Sequence, residues 1–202
     1  MDQQFISSAA CATRFAASAS RSPVSAVAAG MLASGVVTGS PRPAMELLYM
    51  AAERMAEEIA RRLVAEYRER HELVPGFGHP MHRGGVEPRA ETLRRVVKQK
   101  GGWTEHGELL EAVHAELERA LGRKVTINLA GMIAAVYCDL DFDPLLVEAI
   151  SAVGYGWALA AHAVEEIRDG VPLRVLPQEL GATYTGPPER HIPDRQHSDA
   201  TP

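Results

Sequence analysis

Cysteine is nearly absent from this 202-residue chain, with Cys11 and Cys138 the only two. Two thiols cannot build a metal cluster alone, and nothing in their placement suggests a disulfide framework. The composition therefore suits a reducing cytoplasm and predicts no structural metal. Long basic runs are missing as well. No block exceeds a pair such as Arg61-Arg62, and the net charge is −5, which argues against nucleic acid as a partner. Period-2 apolar runs long enough to build a sheet are missing, as are internal repeats and low-complexity tracts. The first thirty residues hold Arg14, Arg21, many Ala and Ser and one acid, Asp2, a composition that mimics a transit peptide. They lack the unbroken apolar stretch of about 20 residues that a membrane span needs, and no membrane association is expected.

What remains is ordinary for a globular protein, with 46% apolar and 23% charged residues. The length suits one domain, or a small pair, with a real core. Apolar spacing is helical throughout. Ser22-Pro23 is a cap and first-turn pair that opens an Ala-rich helix to about Ser34. Gly35 to Pro43 reads as a loop. From Ala44 to about Arg70, the positions Met45, Leu48, Ala52, Met55, Ile59, Leu63 and Tyr67 mark one long helix with one buried stripe. Pro88 to about Lys100 is the next helix, stopped by Gly101-Gly102. Leu109, Leu110, Val113, Leu117, Ala120 and Leu121 define another, closed by Gly122. His114 lies one place off that stripe and reads as structural. Asn128 to Cys138 is apolar nearly all round, which predicts a buried helix. Asp143-Pro144 opens a last helical stretch to Arg168, expected to be two helices or one bent helix because it contains Gly154 and Gly156. The fold class is all-α.

One stretch carries chemistry. Val74-Pro75-Gly76-Phe77-Gly78-His79-Pro80 is followed by Glu87-Pro88-Arg89-Ala90. Two glycines around an aromatic let the backbone turn tightly and approach a ligand. A histidine, which titrates near neutrality, ends that turn. Ten residues later Arg89 sits at the second position of a helix whose first residue is Pro88. A proton-transfer group and a carboxylate-binding fork are thereby close in sequence. The bland alternative is a glycine loop between two helices with an incidental histidine.

This block resembles the signature of the citrate synthase superfamily, which includes citryl-CoA lyases. Other segments resemble the same family in the same order, from about residue 7 to residue 193. They are Pro23 to Met31, Ile127-Asn128-Leu129-Ala130-Gly131, Gly156-Trp157, Ala161 to Glu166, and Tyr184-Thr185-Gly186-Pro187-Pro188-Glu189-Arg190. The resemblance implies a citrate synthase-like helical domain over residues 1–193, with a small lobe at roughly 80–125 inserted in a larger one. It also implies a homodimer, and an active site that closes over its ligand. Residues 194–202 are polar and Pro-bounded and read as a disordered tail.

The family reaction makes or breaks a carbon–carbon bond next to a coenzyme A thioester carbonyl, so the resemblance implies an acyl-CoA and a carboxylate as small-molecule ligands. His79 matches the histidine that polarises the electrophilic keto group, and Arg89 matches a carboxylate-binding arginine. Arg190 matches the terminal arginine that reaches into the neighbour's site, and Arg174 another anion-binding arginine, although Val175-Leu176-Pro177 fit the family pattern poorly. Asn128 belongs to the third active-site segment and is assigned to substrate. Gly76, Gly78 and Arg83 are assigned to the coenzyme A side. A plain surface role stands beside the functional one for Arg83 and Arg174.

Two departures from the family weigh on this reading. Its first catalytic histidine has no counterpart in Val36-Val37-Thr38-Gly39-Ser40-Pro41, where Thr38 is the nearest substitute. Its aspartate base is replaced by Ala130. His82 is the substitute base favoured by proximity, ahead of Glu87, Asp139, Asp141 and Asp143, of which the loop acids are expected to cap the next helix. The expectation is a divergent enzyme, suited to an acyl group with a more acidic α-position. The alternatives are a non-catalytic or CoA-ester-sensing subunit that pairs with a complete paralogue, or a fold recruited to other chemistry.

Overall fold

The computed structural model describes residues 7–35, 39–51, 56–180, 183 and 185–189. Among them are eight α-helices and no strand: α1 (Ser8–Ser20), α2 (Pro23–Leu32), α3 (Arg42–Ala51), α4 (Ala56–Glu69), α5 (Pro88–Gln99), α6 (Glu105–Leu121), α7 (Leu129–Asp139) and α8 (Pro144–Asp169). A short 3-10 turn follows at Gln178–Leu180.

Local chemistry sets most helix ends. The Ser7, Ser22, Asn128 and Asp143 side chains each accept a backbone N–H of the first turn they precede. Pro23, Pro88 and Pro144 occupy first-turn positions, where no N–H is needed. Gly122 closes α6 at φ 62. The transit-like composition at the amino terminus folds as α1, which buries Ala9, Ala10 and Ala17.

α8 departs from the sequence expectation. It runs unbroken through Gly154 and Gly156 for 26 residues. A helical glycine costs about 1 kcal/mol. Burial of Val147, Tyr155 and Leu159 along the same helix offsets that cost. α8 is also the one described helix long and apolar enough, by length and composition, to cross a bilayer. One of its faces packs on α1, α2 and α3. Leu146, Ile150, Val153 and Trp157 are exposed.

The helices share two buried regions. α1, α2 and α8 meet through Ala17, Ala26 and Ala163, small residues that let backbones approach closely. The main core joins α3, α4, α6 and α7 through Met45, Leu48, Val64, Leu110, Val113, Met132 and Ala135. The expected stripe of residues 44–70 is found here on α3 and α4, with residues 52–55 outside those described. Within the stretch expected as a small lobe, α6 contributes Leu109, Leu110, Val113 and Leu117 to this main core, and α5 lies against α7.

Asp139 holds the amino end of α6. The α6 N-cap residue, Thr104, makes no side-chain cap. Instead the Asp139 carboxylate, at the end of α7, accepts N–H bonds from Thr104 (2.9 Å), His106 (2.9 Å) and Gly107 (3.3 Å). Its Oδ1 also lies 3.1 Å from His106 Nδ1. Of the three loop acids expected to cap the next helix, Asp143 caps α8, whereas Asp139 caps α6 and Asp141 sits in a turn at φ 57. The Asp139 side chain is 1% exposed. Burial opposes its ionisation, but hydrogen bonds from Thr104 and His106 outweigh that and hold the carboxyl below its ordinary 3.8.

A depressed carboxyl stabilises the fold in full above the unfolded value and loses that contribution as pH falls through the folded one. Asp139→Ala is therefore expected to cost about 2–3 kcal/mol at pH 7. The difference from wild type should shrink below about pH 4, as checked by urea denaturation at a series of pH values.

Candidate active site

The site is built where the Val74–Pro80 turn meets the segment before α7. Gly78 N–H donates to the Thr126 carbonyl (2.8 Å) and Asn128 N–H to the Gly76 carbonyl (3.0 Å). These bonds bracket an isolated antiparallel bridge between Phe77 and Ile127. Gly76 (φ 89) and Gly78 (φ 84) both lie in the left-handed region. A Cβ on Gly131 would stand 2.5 Å from the Gly76 carbonyl oxygen, and one on Gly76 would stand 2.9 Å from the Gly131 Cα. The two backbones thus touch. A Cβ on Gly78 would meet nothing within 4 Å, so that face of the turn opens to space.

Asn128 serves both segments. Its Oδ1 accepts from Gly131 N–H (3.0 Å) and caps α7, while its Nδ2 donates to the Gly78 carbonyl (3.0 Å). Thr126, buried and not singled out by its sequence, turns its hydroxyl to the carbonyls of His82 and Gly85. No sequence signal marks Thr126, because a lone threonine has no motif. The Phe77 ring stacks on His114, whose Nε2 lies 2.7 Å from the Val125 carbonyl.

This scaffold presents His79 in a defined state. Its Nδ1 accepts the backbone N–H groups of Met81 (3.1 Å) and His82 (3.2 Å). An accepting Nδ1 carries no proton, so the neutral ring bears its hydrogen on Nε2. Burial lowers the His79 pKa below its ordinary 6.5. The Glu87 charge pulls it upward, and His82 and Arg89 push it down. The ring is neutral at pH 7 and offers an N–H donor. The His82 ring lies 4.6 Å away, centroid to centroid.

Glu87 and Arg89 complete the cluster. Glu87, 1% exposed, precedes α5 without capping it. Its Oε1 pairs with Arg89 Nη2 at 2.5 Å and its Oε2 accepts the Leu129 N–H at 2.6 Å. The sequence offers Glu87 as one substitute base. Both its oxygens are instead taken up, one by Arg89 and the other by the Leu129 N–H. A shallow groove of about 490 Å³ runs along α5, lined by Pro88, Arg89, Thr92, Leu93 and Val96. A second groove, of about 460 Å³, lies between α4 and α6 and contains no residue of the turn.

Of the residues singled out by sequence, His79, His82, Gly76, Gly78, Arg83, Glu87, Arg89 and Asn128 belong to this loop and its two flanking helices. Arg83 is exposed, and its Nε donates to the Pro80 carbonyl (3.3 Å). Arg174 is engaged elsewhere. Its Nε and Nη2 grip Glu166 on α8 at 2.5 and 3.0 Å, and its backbone N–H donates to Ser18 Oγ on α1. Arg14 Nη2 pairs with the same buried Glu166 at 2.8 Å. Thr38 and Arg190 lie outside the described residues.

The profile of the citrate synthase C-terminal domain matches residues 1–175. The chain belongs to the citrate synthase family. Among solved structures, citryl-CoA lyase from Hydrogenobacter thermophilus is similar at 31% identity and a TM-score of 0.81, over 96% of this chain and 75% of that one. ATP citrate lyase from Methanothrix soehngenii, in complex with citrate and coenzyme A, aligns at 22% identity and a TM-score of 0.80, over 93% of this chain and 32% of that one. Citrate synthase from Thermotoga maritima aligns at 20% identity and a TM-score of 0.71, over 97% of this chain and 53% of that one. The last two show the fold alone, and this chain spans about a third and about half of them. No curated protein matches. The all-α, citrate synthase-like fold read from the sequence is the fold found.

Two outcomes follow from the geometry of this citrate synthase-family loop. Gly131→Ala forces a methyl against backbone and is expected to cost about 1–3 kcal/mol in urea unfolding. Long-range nitrogen–proton correlation spectra at pH 7 are expected to show His79 as the neutral Nε2–H tautomer.

Proposed function

We propose that this chain is an enzyme that forms or cleaves a carbon–carbon bond next to an acyl-CoA carbonyl, in the manner of a citryl-CoA lyase. The observation that carries the reading is the fixed Nε2–H of His79 on the same loop and helix start as Arg89. In the bond-forming direction a keto oxygen gains negative charge as the enolate carbon attacks, and cleavage passes through the same state in reverse. A donor already oriented toward that oxygen stabilises the charge without reorganising. Arg89 then holds a carboxylate of the keto acid, and its planar fork suits that ligand. Asn128 and the open face of Gly78 border the space for the acyl group, and Arg83 meets the coenzyme A phosphates. His82 is the candidate proton acceptor, with Thr38 a substitute hydrogen-bond donor and Arg190 kept in its family role, whereas Arg174 is given to Glu166. Closure of a lobe at about 80–125 over the ligand completes the site. The working assembly is a cytoplasmic homodimer, and the apolar side chains exposed along α8 support a partnered form.

Ala130 favours a second reading, since a methyl group cannot take the α-proton. On that reading the chain is a non-catalytic or CoA-ester-sensing subunit that pairs with a complete paralogue. The purified full chain, incubated with citryl-CoA and followed by chromatography of acetyl-CoA, separates the two. Turnover is expected, with a loss of about 10²–10³-fold in His79→Ala. Equal turnover in His79→Ala removes that residue from the mechanism. Saturable coenzyme A binding without turnover supports the sensing subunit.

A further inference from the structure

We propose that Glu87 is a positioning residue of this site, locking the Arg89 guanidinium to the first turn of α7, whose cap residue Asn128 holds the His79 loop. The proposal deepens the reading of His79 and Arg89 given above and rests on it. Glu87 is 1% exposed, and a carboxylate that far from water persists only when both oxygens have strong donors. It has two, and they come from different elements. Arg89 Nη2 on α5 lies 2.5 Å from Oε1, and the Leu129 N–H at the positive end of α7 lies 2.6 Å from Oε2. The Leu129 contact adjoins Ala130, the position where the sequence offers a methyl group.

Position alone does not require this arrangement. An N-cap carboxylate ordinarily folds back on the backbone of its own helix, yet Glu87 caps no backbone N–H of α5. It spans instead from the start of α5 to the start of α7. The bond restrains one Nη of the Arg89 guanidinium, whose plane a carboxylate ligand must match for bidentate binding. The charged and titratable groups that act on His79 are Glu87, His82 and Arg89, and Glu87 is the one anion among them. The residue therefore ties the electrophile-binding histidine and the carboxylate-binding arginine to a shared counter-charge.

The test compares full-length Glu87→Gln and Glu87→Asp with wild type. Gln keeps the shape and can still accept the Leu129 N–H, but it removes the charge. Asp restores the charge. Citrate and coenzyme A are titrated separately in a calorimeter, and the His79 ring is titrated by NMR. Glu87→Gln is expected to weaken citrate at least about tenfold, or 1.4 kcal/mol, with coenzyme A affinity unchanged. Its His79 midpoint is expected to move to lower pH. Glu87→Asp is expected to recover most of both effects. Equal weakening of both ligands in both variants, together with lowered melting temperatures, marks a merely structural residue and overturns the proposal. So does an unchanged His79 titration in Glu87→Gln. Failure of the wild type to bind citrate counts against the proposed function. In that case the His79 titration still decides the role of Glu87, a downward shift supporting it and no shift overturning it.

Discussion

Contact between two glycine backbones, Gly76 and Gly131, is the constraint on which the site depends. The turn that carries His79 and the helix that begins at Leu129 come so close that a methyl group on Gly131 would overlap the Gly76 carbonyl. That approach allows the Asn128 N–H to reach Gly76 and the Gly78 N–H to reach Thr126. It also places the Asn128 side chain so that it caps α7 and holds the turn with the same amide. The state of His79 follows from this anchoring. A turn held at Gly76 and Gly78 directs the Met81 and His82 N–H groups onto one ring nitrogen, and the proton is left on the other.

Buried carboxylates organise the rest of the helical array. Glu87, Asp139 and Glu166 are each about 1% exposed or less in the side chain, and each joins elements distant in sequence. Glu87 links α5 to α7, and Asp139 links the end of α7 to the start of α6. Glu166 binds arginines from α1 and from the segment after α8. Short Ala-rich helices offer few large side chains for interlocking. A buried charge satisfied by named donors adds little net stability, but breaking its pairing is costly, so it favours one packing over its neighbours.

The helices were largely legible from spacing, because their caps and prolines act locally. Ser22-Pro23, Asn128 and Asp143-Pro144 start helices where the sequence places them, and Gly122 stops one. Gly154 and Gly156 misled in the other direction. Their local cost is about 1 kcal/mol each, and the burial of Tyr155 and Leu159 between and beyond them outweighs it. The loop of the candidate site stood out too, since its glycines and histidine are contiguous and Arg89 follows within ten residues. The partners of Asp139 and Arg174 were not, because hydrogen bonds between distant segments leave no trace in local spacing.

By itself the sequence determined the all-α class, most helix boundaries and the family. These depend on local backbone preferences, on the period of apolar residues and on residue identity, all of which are written along the chain. Only the tertiary structure decided that Glu87 is bound by Arg89 and the α7 amino end, that Asp139 caps α6, and that Arg174 is committed to Glu166. A charged group takes the donors that burial leaves within reach, and which donors those are is settled by the packing of helices far apart in sequence.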